Sequence, residues 1–257
     1  MLNIALLGYG QMGKILARLA PEHNCHVLEI FDPGKEQYNK KITAEALQDV
    51  DVFIDFSLPD AVLKNIETIA PLGKNIVIGT TGWQQNIEKI EKLVNKHDIG
   101  LIYAGNFSIG MNLFLLITQY CSDLISQTNV YDVFGYELHH NRKADSPSGT
   151  ARDLAETILS SFSNKESVQY DRVNRKIDPA ELHFASIRGG SIPGTHVIGF
   201  DSPFDTIELK HTARTREGFA VGALKAAHWI NNRKGIYEFR KIFKDLLANK
   251  IDRSVLK

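Results

Sequence analysis

The densest grouping of chemically capable side chains is Glu137-Leu138-His139-His140-Asn141-Arg142-Lys143-Ala144-Asp145-Ser146-Pro147-Ser148-Gly149-Thr150. An imidazole with an unperturbed pKa of ~6.5 holds or releases a proton near neutrality, so His139 or His140 is a candidate general acid. On a regular strand adjacent side chains face opposite ways, so the two histidines should do different work unless the chain turns between them. Amides at Gly149 and Thr150, opening a helix, suit an anion, and a carboxylate fits as well as a phosphate. Lys143 adds a charge and three donors. Together they describe a receiver for a small acid; the competing reading is a solvated basic loop closed by a helix start.

A second constellation opens the chain. Gly8-Tyr9-Gly10-Gln11-Met12-Gly13 has GxGxxG spacing, which is weak alone and strong where it follows a strand and opens a helix. The first glycine permits a tight turn, the second lets the backbone approach a pyrophosphate, and the third allows close helix–strand packing. Asp32 stands close to the ~20-residue offset at which an acid meets ribose hydroxyls. Its charge repels a 2′-phosphate, and Pro33 rather than arginine follows it, so NADH is favoured over NADPH; Lys35 partly offsets the repulsion. Gly79-Thr80-Thr81-Gly82 and Ala104-Gly105-Asn106-Phe107 each follow an apolar run, where open α/β sheets bind ligands.

The elements that must position these groups are legible as periodicities. Asn3–Leu7, Val27–Phe31, Val52–Phe56, Asn75–Ile78 and Leu101–Tyr103 read as buried strands. Gln11–Leu19, Ala61–Ala70 and Gln85–Lys96 between them have helical spacing. This alternation predicts a doubly wound parallel sheet. After Asn106 a long apolar helix is expected at Ile109–Ile125, a helix at Ala151–Ser160, and strands at Val130–His139, Leu182–Arg188, Thr195–Phe200 and Thr206–Thr212. These form a second, mixed or antiparallel sheet. The tail, Gly218–Ile230 and Ile236–Ala248, reads as helix returning to the first domain.

Bulk properties narrow the field. Lys plus Arg equals Asp plus Glu at 30 each, giving zero formal net charge over 257 residues, and a general nucleic-acid binder carries a basic excess. No apolar run approaches the ~20 residues that span a bilayer, and no signal peptide is expected. Cys25 and Cys121 have no ligand-spaced partner, which fits free thiols in a reducing cytoplasm. No HExxH, CxxC or acid cluster indicates a metal. His183, His196 and His211 fall on expected strands, where packing is the ordinary role. Ser148 is not in a GxSxG elbow, so a serine hydrolase is unsupported.

In this order GYGQMG, GTTGW, GNFSIGMN, ELHHNRKADSPSGTA, SIRGGSIPGTH and ELKHTARTREGFAVGALKAA run through essentially the whole chain. The sequence thereby resembles the dihydrodipicolinate reductase family, and the HHxxKxDxPSGTA block is specific to it. The resemblance implies an α/β fold: a Rossmann-like dinucleotide-binding domain, 1–107 and 217–257, around a mixed α+β substrate and tetramerisation domain, 108–216. It implies reduction of 4-hydroxy-tetrahydrodipicolinate by NADH or NADPH, with loss of water, in a homotetramer. His139 matches the family's proton donor, Lys143 the second catalytic cation and His140 a substrate contact. Gly149 and Thr150 match the residues that hold a substrate carboxylate. Gly8 to Gly13, Asp32, Gly79, Thr80, Thr81 and Ala104 to Phe107 match the nucleotide contacts. Thr195 stands where many members place an acid. Two other readings compete: another two-domain nicotinamide dehydrogenase, and a non-catalytic nicotinamide sensor.

Overall fold

The computed structural model describes residues 1–38 and 47–247. In chain order the elements are β1 Leu2–Leu7, α1 Gln11–Leu19, β2 Cys25–Phe31, β3 Val52–Asp55, α2 Pro59–Ile69, β4 Asn75–Ile78, α3 Ile87–His97, β5 Gly100–Tyr103 and α4 Ile109–Ser126. There follow β6 Asp132–His139, α5 Gly149–Leu159, β7 Ser167–Gln169, β8 Glu181–Arg188, β9 Thr195–Asp201, β10 Thr206–Thr212, α6 Glu217–Ile230, β11 Gly235–Glu238 and α7 Phe239–Leu247. They form two compact units, one of Met1–Ile109 with the chain from Arg216 onward, the other Gly110–Thr215.

The first unit holds a six-stranded sheet in the order β11-β5-β4-β3-β1-β2, parallel throughout. A parallel sheet is covered on both faces, which explains near-continuous apolar strands such as Val52-Phe53-Ile54. In α2, Pro59 occupies the first turn, where its missing N–H costs nothing. Val62, Ile66 and Ile69 then bury one face at helical spacing. The strand order reverses between β1 and β3, and such a switch point opens a crevice beyond the strand ends. Helix α6 packs on β3, β4 and β5. Asn75, buried in β4, donates to the carbonyls of Ile230 and Asn231, at 2.7 Å each, and accepts from the Gly100 amide at 2.6 Å. One side chain thus satisfies the end of α6 and joins it to the sheet.

The second unit is a five-stranded mixed sheet, β10-β9-β6-β8-β7. Here β6 lies parallel to β8 and antiparallel to β9. Met111, Phe114 and Leu115 of α4 and Leu154 and Ile158 of α5 form a core with Phe184, Ile198 and Phe200 of the sheet. Along β6, alternate residues Val133, Gly135, Glu137 and His139 are buried, so strand periodicity sends an acid and a histidine inward on one face.

The tail corrects one expectation. Ile236–Ala248 does not begin as helix: Gly235–Glu238 is a strand paired in parallel with β5, and helix starts only at Phe239. Isoleucine and tyrosine suit a strand, but the decisive bonds lie in β5, so nothing local announces it. The short strand β7 was likewise unforeseen, three residues being too few to show alternation.

Candidate active site

In the first unit the three glycines behave differently. A side chain at Gly8 (φ +86°) would place Cβ 2.6 Å from the Phe56 carbonyl oxygen, and one at Gly13 would lie 2.3 Å from the Gly8 oxygen. A Cβ on Gly10 meets nothing within 4 Å. Gly8 and Gly13 therefore close the turn against strand and helix, while Gly10 leaves the backbone open to a ligand. A cavity of about 470 Å³ lies there, lined by Gly10, Gln11, Met12, Ser57, Thr80 and Arg216 among others, with Gly79 and Thr81 also on its wall. Asp55, fully buried at the end of β3, orders this wall. It accepts from the Ser57 amide and hydroxyl at 2.8 and 2.6 Å, from Asn65 at 2.8 Å and from the Thr80 hydroxyl at 2.9 Å. Gly79 is required by the Phe56 ring, which a Cβ would meet at 2.1 Å.

Asp32, just past β2, accepts the amides of Tyr9 at 2.9 Å and Gly34 at 3.0 Å, which ties it to the glycine turn. The Lys35 ammonium stands 3.7 Å away, donates to the Tyr9 carbonyl and lies over the Tyr9 ring. Of the four residues after β5, Ala104 donates to the Ile78 carbonyl at 3.0 Å. Gly105 approaches Thr81, its Cβ position lying 3.7 Å from the threonine methyl. Asn106 caps the Ser108 amide at 2.9 Å. The Phe107 ring is core, against Phe239 at 5.0 Å. Only its main chain is left for a ligand.

In the second unit the histidine block gathers around one carboxylate. Glu137 is fully buried, yet its Oε1 accepts from the Ser148 amide at 3.0 Å, the Ser186 hydroxyl at 2.9 Å and Arg188 Nη2 at 2.9 Å. Its Oε2 accepts from the Ser148 hydroxyl and lies 3.3 Å from His139 Nδ1 and 3.4 Å from His196 Nε2. The His139 approach lacks the alignment of a hydrogen bond. Burial would raise the pKa of Glu137, but hydrogen bonds from His196, Ser148 and Ser186 hold it well below the usual carboxylate range. His139 moves the other way in charge. Burial pulls it down to about 4, Glu137 opposes that, and His196, Lys143 and Arg188 reinforce it.

The strand ends at His139, and the chain turns there. The His140 amide bonds the Ile192 carbonyl at 2.8 Å and the Lys143 amide the His140 carbonyl at 3.1 Å, so the alternation argument, which holds on a regular strand, does not apply to the pair; His139 is buried and His140 half-buried. Lys143 pairs with Asp145 at 2.7 and 2.9 Å. Ser148 caps α5 by accepting the Ala151 amide at 3.1 Å, which leaves Gly149 and Thr150 as the first turn, with Gly149 open at its Cβ position. The unliganded His139 Nε2 faces Gly194 (φ +154°), where a Cβ would stand 3.0 Å away. Glycine keeps that nitrogen approachable.

Two family profiles match the chain. One, described as dihydrodipicolinate reductase, N-terminus, covers residues 2–107, and the other, dihydrodipicolinate reductase, C-terminus, covers 110–243. The chain belongs to the dihydrodipicolinate reductase family. Within that family, the 4-hydroxy-tetrahydrodipicolinate reductase of Christiangramia forsetii is 37% identical over 250 residues, spanning 96% of this chain and all of that one. The enzyme of the same name from Rickettsia rickettsii is 36% identical over 248 residues, 95% of this chain and all of the other. Among solved structures, dipicolinate-bound dihydrodipicolinate reductase from Paenisporosarcina sp. TG-14 superposes with a TM-score of 0.75 at 23% identity, covering 94% of this chain and 99% of that one. An amine dehydrogenase from Mycobacterium smegmatis reaches 0.54 at 12% identity, over 93% and 95%. These likenesses support the α/β fold with a nicotinamide-dinucleotide-binding Rossmann-type sheet.

Membership in the dihydrodipicolinate reductase family does not explain every group at the site. Nothing in the sequence alone gives Glu137, Ser148, Ser186 or Arg188 a role, and His196 on its expected strand reads as packing. Glu137 was within reach of sequence reasoning, two residues before His139 on one strand face. His196, on β9, lies directly opposite Glu137 of β6, and Ser186 and Arg188 come from β8; only the sheet brings them together. Among the described residues, Glu137, His139 and His196 place donor atoms within 4.8 Å of one another. The Glu137 oxygens there already accept hydrogen bonds from Ser148, Ser186 and Arg188, and a guanidinium 2.9 Å from the carboxylate opposes a second cation.

Proposed function

We propose that the chain reduces 4-hydroxy-tetrahydrodipicolinate to tetrahydrodipicolinate, with loss of the 4-hydroxyl as water. The observation that carries this reading is the buried Glu137 carboxylate, which bonds the Ser148 cap of α5 and lies 3.3 Å from His139, with Lys143 paired to Asp145 on the adjoining loop, in a chain that aligns over 95–96% of its length with named reductases. Lys143 and the first-turn amides of Gly149 and Thr150 orient the two substrate carboxylates, with His140 as a further contact. The 4-hydroxyl leaves as water together with a proton from the adjacent ring carbon, and as the conjugated ring so formed is reduced, His139 returns a proton to that adjacent carbon. When bound, reduced nicotinamide supplies the hydride. The dinucleotide is held by Gly8, Tyr9, Gly10, Gln11, Met12 and Gly13, by Gly79, Thr80 and Thr81, and by the main chain of Ala104 to Phe107.

Asp32 is the ribose acid of this reading, and NADH is favoured over NADPH because its carboxylate repels a 2′-phosphate. Lys35, 3.7 Å away, softens the discrimination. The units are proposed to divide the labour, dinucleotide to the first and substrate and assembly to the second. A homotetramer is part of the reading. Leu113, Ile117, Tyr120 and Leu124 form an exposed apolar face along α4, from 37% to 65% accessible, larger than scattered surface residues and suited to burial between copies. Among the described residues no helix is long and apolar enough to cross a membrane. With two free cysteines, a reducing cytoplasm is the proposed setting.

The deciding assay follows oxidation of NADH and of NADPH with freshly made pyruvate–aspartate semialdehyde condensation product. Turnover with either coenzyme supports the reading, and a lower KM for NADH supports the preference. No turnover with either removes it.

A further inference from the structure

We infer that Glu137 is a positioning residue for the reaction, its one buried carboxylate setting both the imidazole of His139 and the amide end of α5. The inference rests on the reading that His139 delivers the proton. Nothing about Glu137 suits it to touch substrate: it is fully buried, and both oxygens are occupied within the protein. What it touches is telling. Oε2 lies 3.3 Å from His139 Nδ1 without hydrogen-bond alignment, so the carboxylate acts on that side of the ring through its charge: it favours a proton on Nδ1, and Nε2, the nitrogen beside Gly194, is left to carry the transferable proton. The same oxygen accepts the hydroxyl of Ser148, which caps α5 directly ahead of Gly149 and Thr150. Acid and anion cradle therefore share one anchor.

The electrostatic side agrees. His139 is faced by Glu137 from its own strand, by Arg188 from β8, by His196 from β9 and by Lys143 from the loop, with His211 of β10 next to His196. Of these only Glu137 favours the imidazolium. Arg188 is itself neutralised by Glu137 at 2.9 Å and bonds the Asp145 carbonyl at 2.7 Å. Removing the carboxylate thus leaves His139 among cations and other imidazoles, with nothing to hold its proton.

The test begins with the unaltered protein. Nitrogen-15 NMR of labelled histidine is expected to show neutral His139 as the Nδ1–H tautomer; an Nε2–H tautomer overturns the inference. Glu137→Gln is nearly isosteric and keeps an oxygen for Ser148, Ser186 and Arg188. In that variant kcat is expected to fall about 10²–10⁴-fold, the scale of a general acid or its orienting partner, with KM moving less than about tenfold. The His139 titration midpoint should shift down. Glu137→Asp keeps the charge and should recover part of kcat and most of the titration. Unchanged kcat in Glu137→Gln, or a titration midpoint that does not move, sinks the inference. Should the unaltered protein turn over no condensation product, the functional reading falls while the tautomer and titration still decide the role of Glu137.

Discussion

His139 carries a difficulty that is also a prediction. With its pKa drawn down to about 4 by burial, the free imidazole is neutral at pH 6, and a neutral imidazole is a poor acid. A dianion arriving beside it favours the charged form, so substrate and proton bind together by linkage. The sign follows: a pKa raised on binding means uptake, between the free and the bound value. Calorimetry of binding of a dicarboxylate analogue of the proposed substrate at pH 6, in buffers of different ionisation heat, is expected to report uptake approaching one proton per site, and His139→Ala to abolish it; zero uptake in the unaltered protein removes His139 from the site. Lys143 is held meanwhile by Asp145 at 2.7 Å, an exchangeable partner half exposed to water. Lys143→Ala should raise KM about tenfold or more and also lower kcat, because a charge-assisted bond to a substrate carboxylate contributes roughly 1.5–3 kcal/mol. Wild-type steady-state constants would exclude it.

At the scale of elements, two contacts set the geometry. Ser148 both caps α5 and donates to Glu137. Ser148→Ala should lower stability by at least the ~0.5–2 kcal/mol of a lost cap, measured by urea denaturation, and weaken binding of the same dicarboxylate analogue as the first turn loosens. Unchanged stability would show the cap to be idle. In α6, Gly222 lets the Phe107 carbonyl approach, and a Cβ there would sit 1.9 Å from that oxygen. Gly222→Ala must displace helix or loop, at a cost of about 1–3 kcal/mol. NADH affinity, read by fluorescence, should drop with it, since the displaced loop is Ala104 to Phe107. A stable variant with normal affinity would mean that loop contributes nothing. The helical period of α6 is plain in the sequence, but the reason for glycine at 222 is not, because the obstructing atom lies 115 residues earlier in the chain.

For the molecule as a whole, the proposed homotetramer can be tested at the exposed apolar face of α4. A particle of four chains is expected by light scattering. Ile117→Asp combined with Leu124→Asp should yield smaller species, since two carboxylates on one face cannot be desolvated cheaply. A tetramer that survives both places the interface elsewhere. Each unit has its own core, so the substitutions should leave the dinucleotide-binding sheet folded.

Periodicity and glycine spacing, which are local, are enough to show the parallel sheet, the tight glycine turn and the histidine–lysine loop, because strand alternation and a GxGxxG turn express themselves within a few residues. Asp55 under the cavity wall, β11 on the sheet edge, and Arg188, Ser186 and His196 around Glu137 were decided only by folding. Their partners lie tens of residues away, and hydrogen bonding between distant strands has no signature in any one of them. The block Glu137 to Thr150 names the chemistry; the sheet around it determines which of its nitrogens can hold a proton.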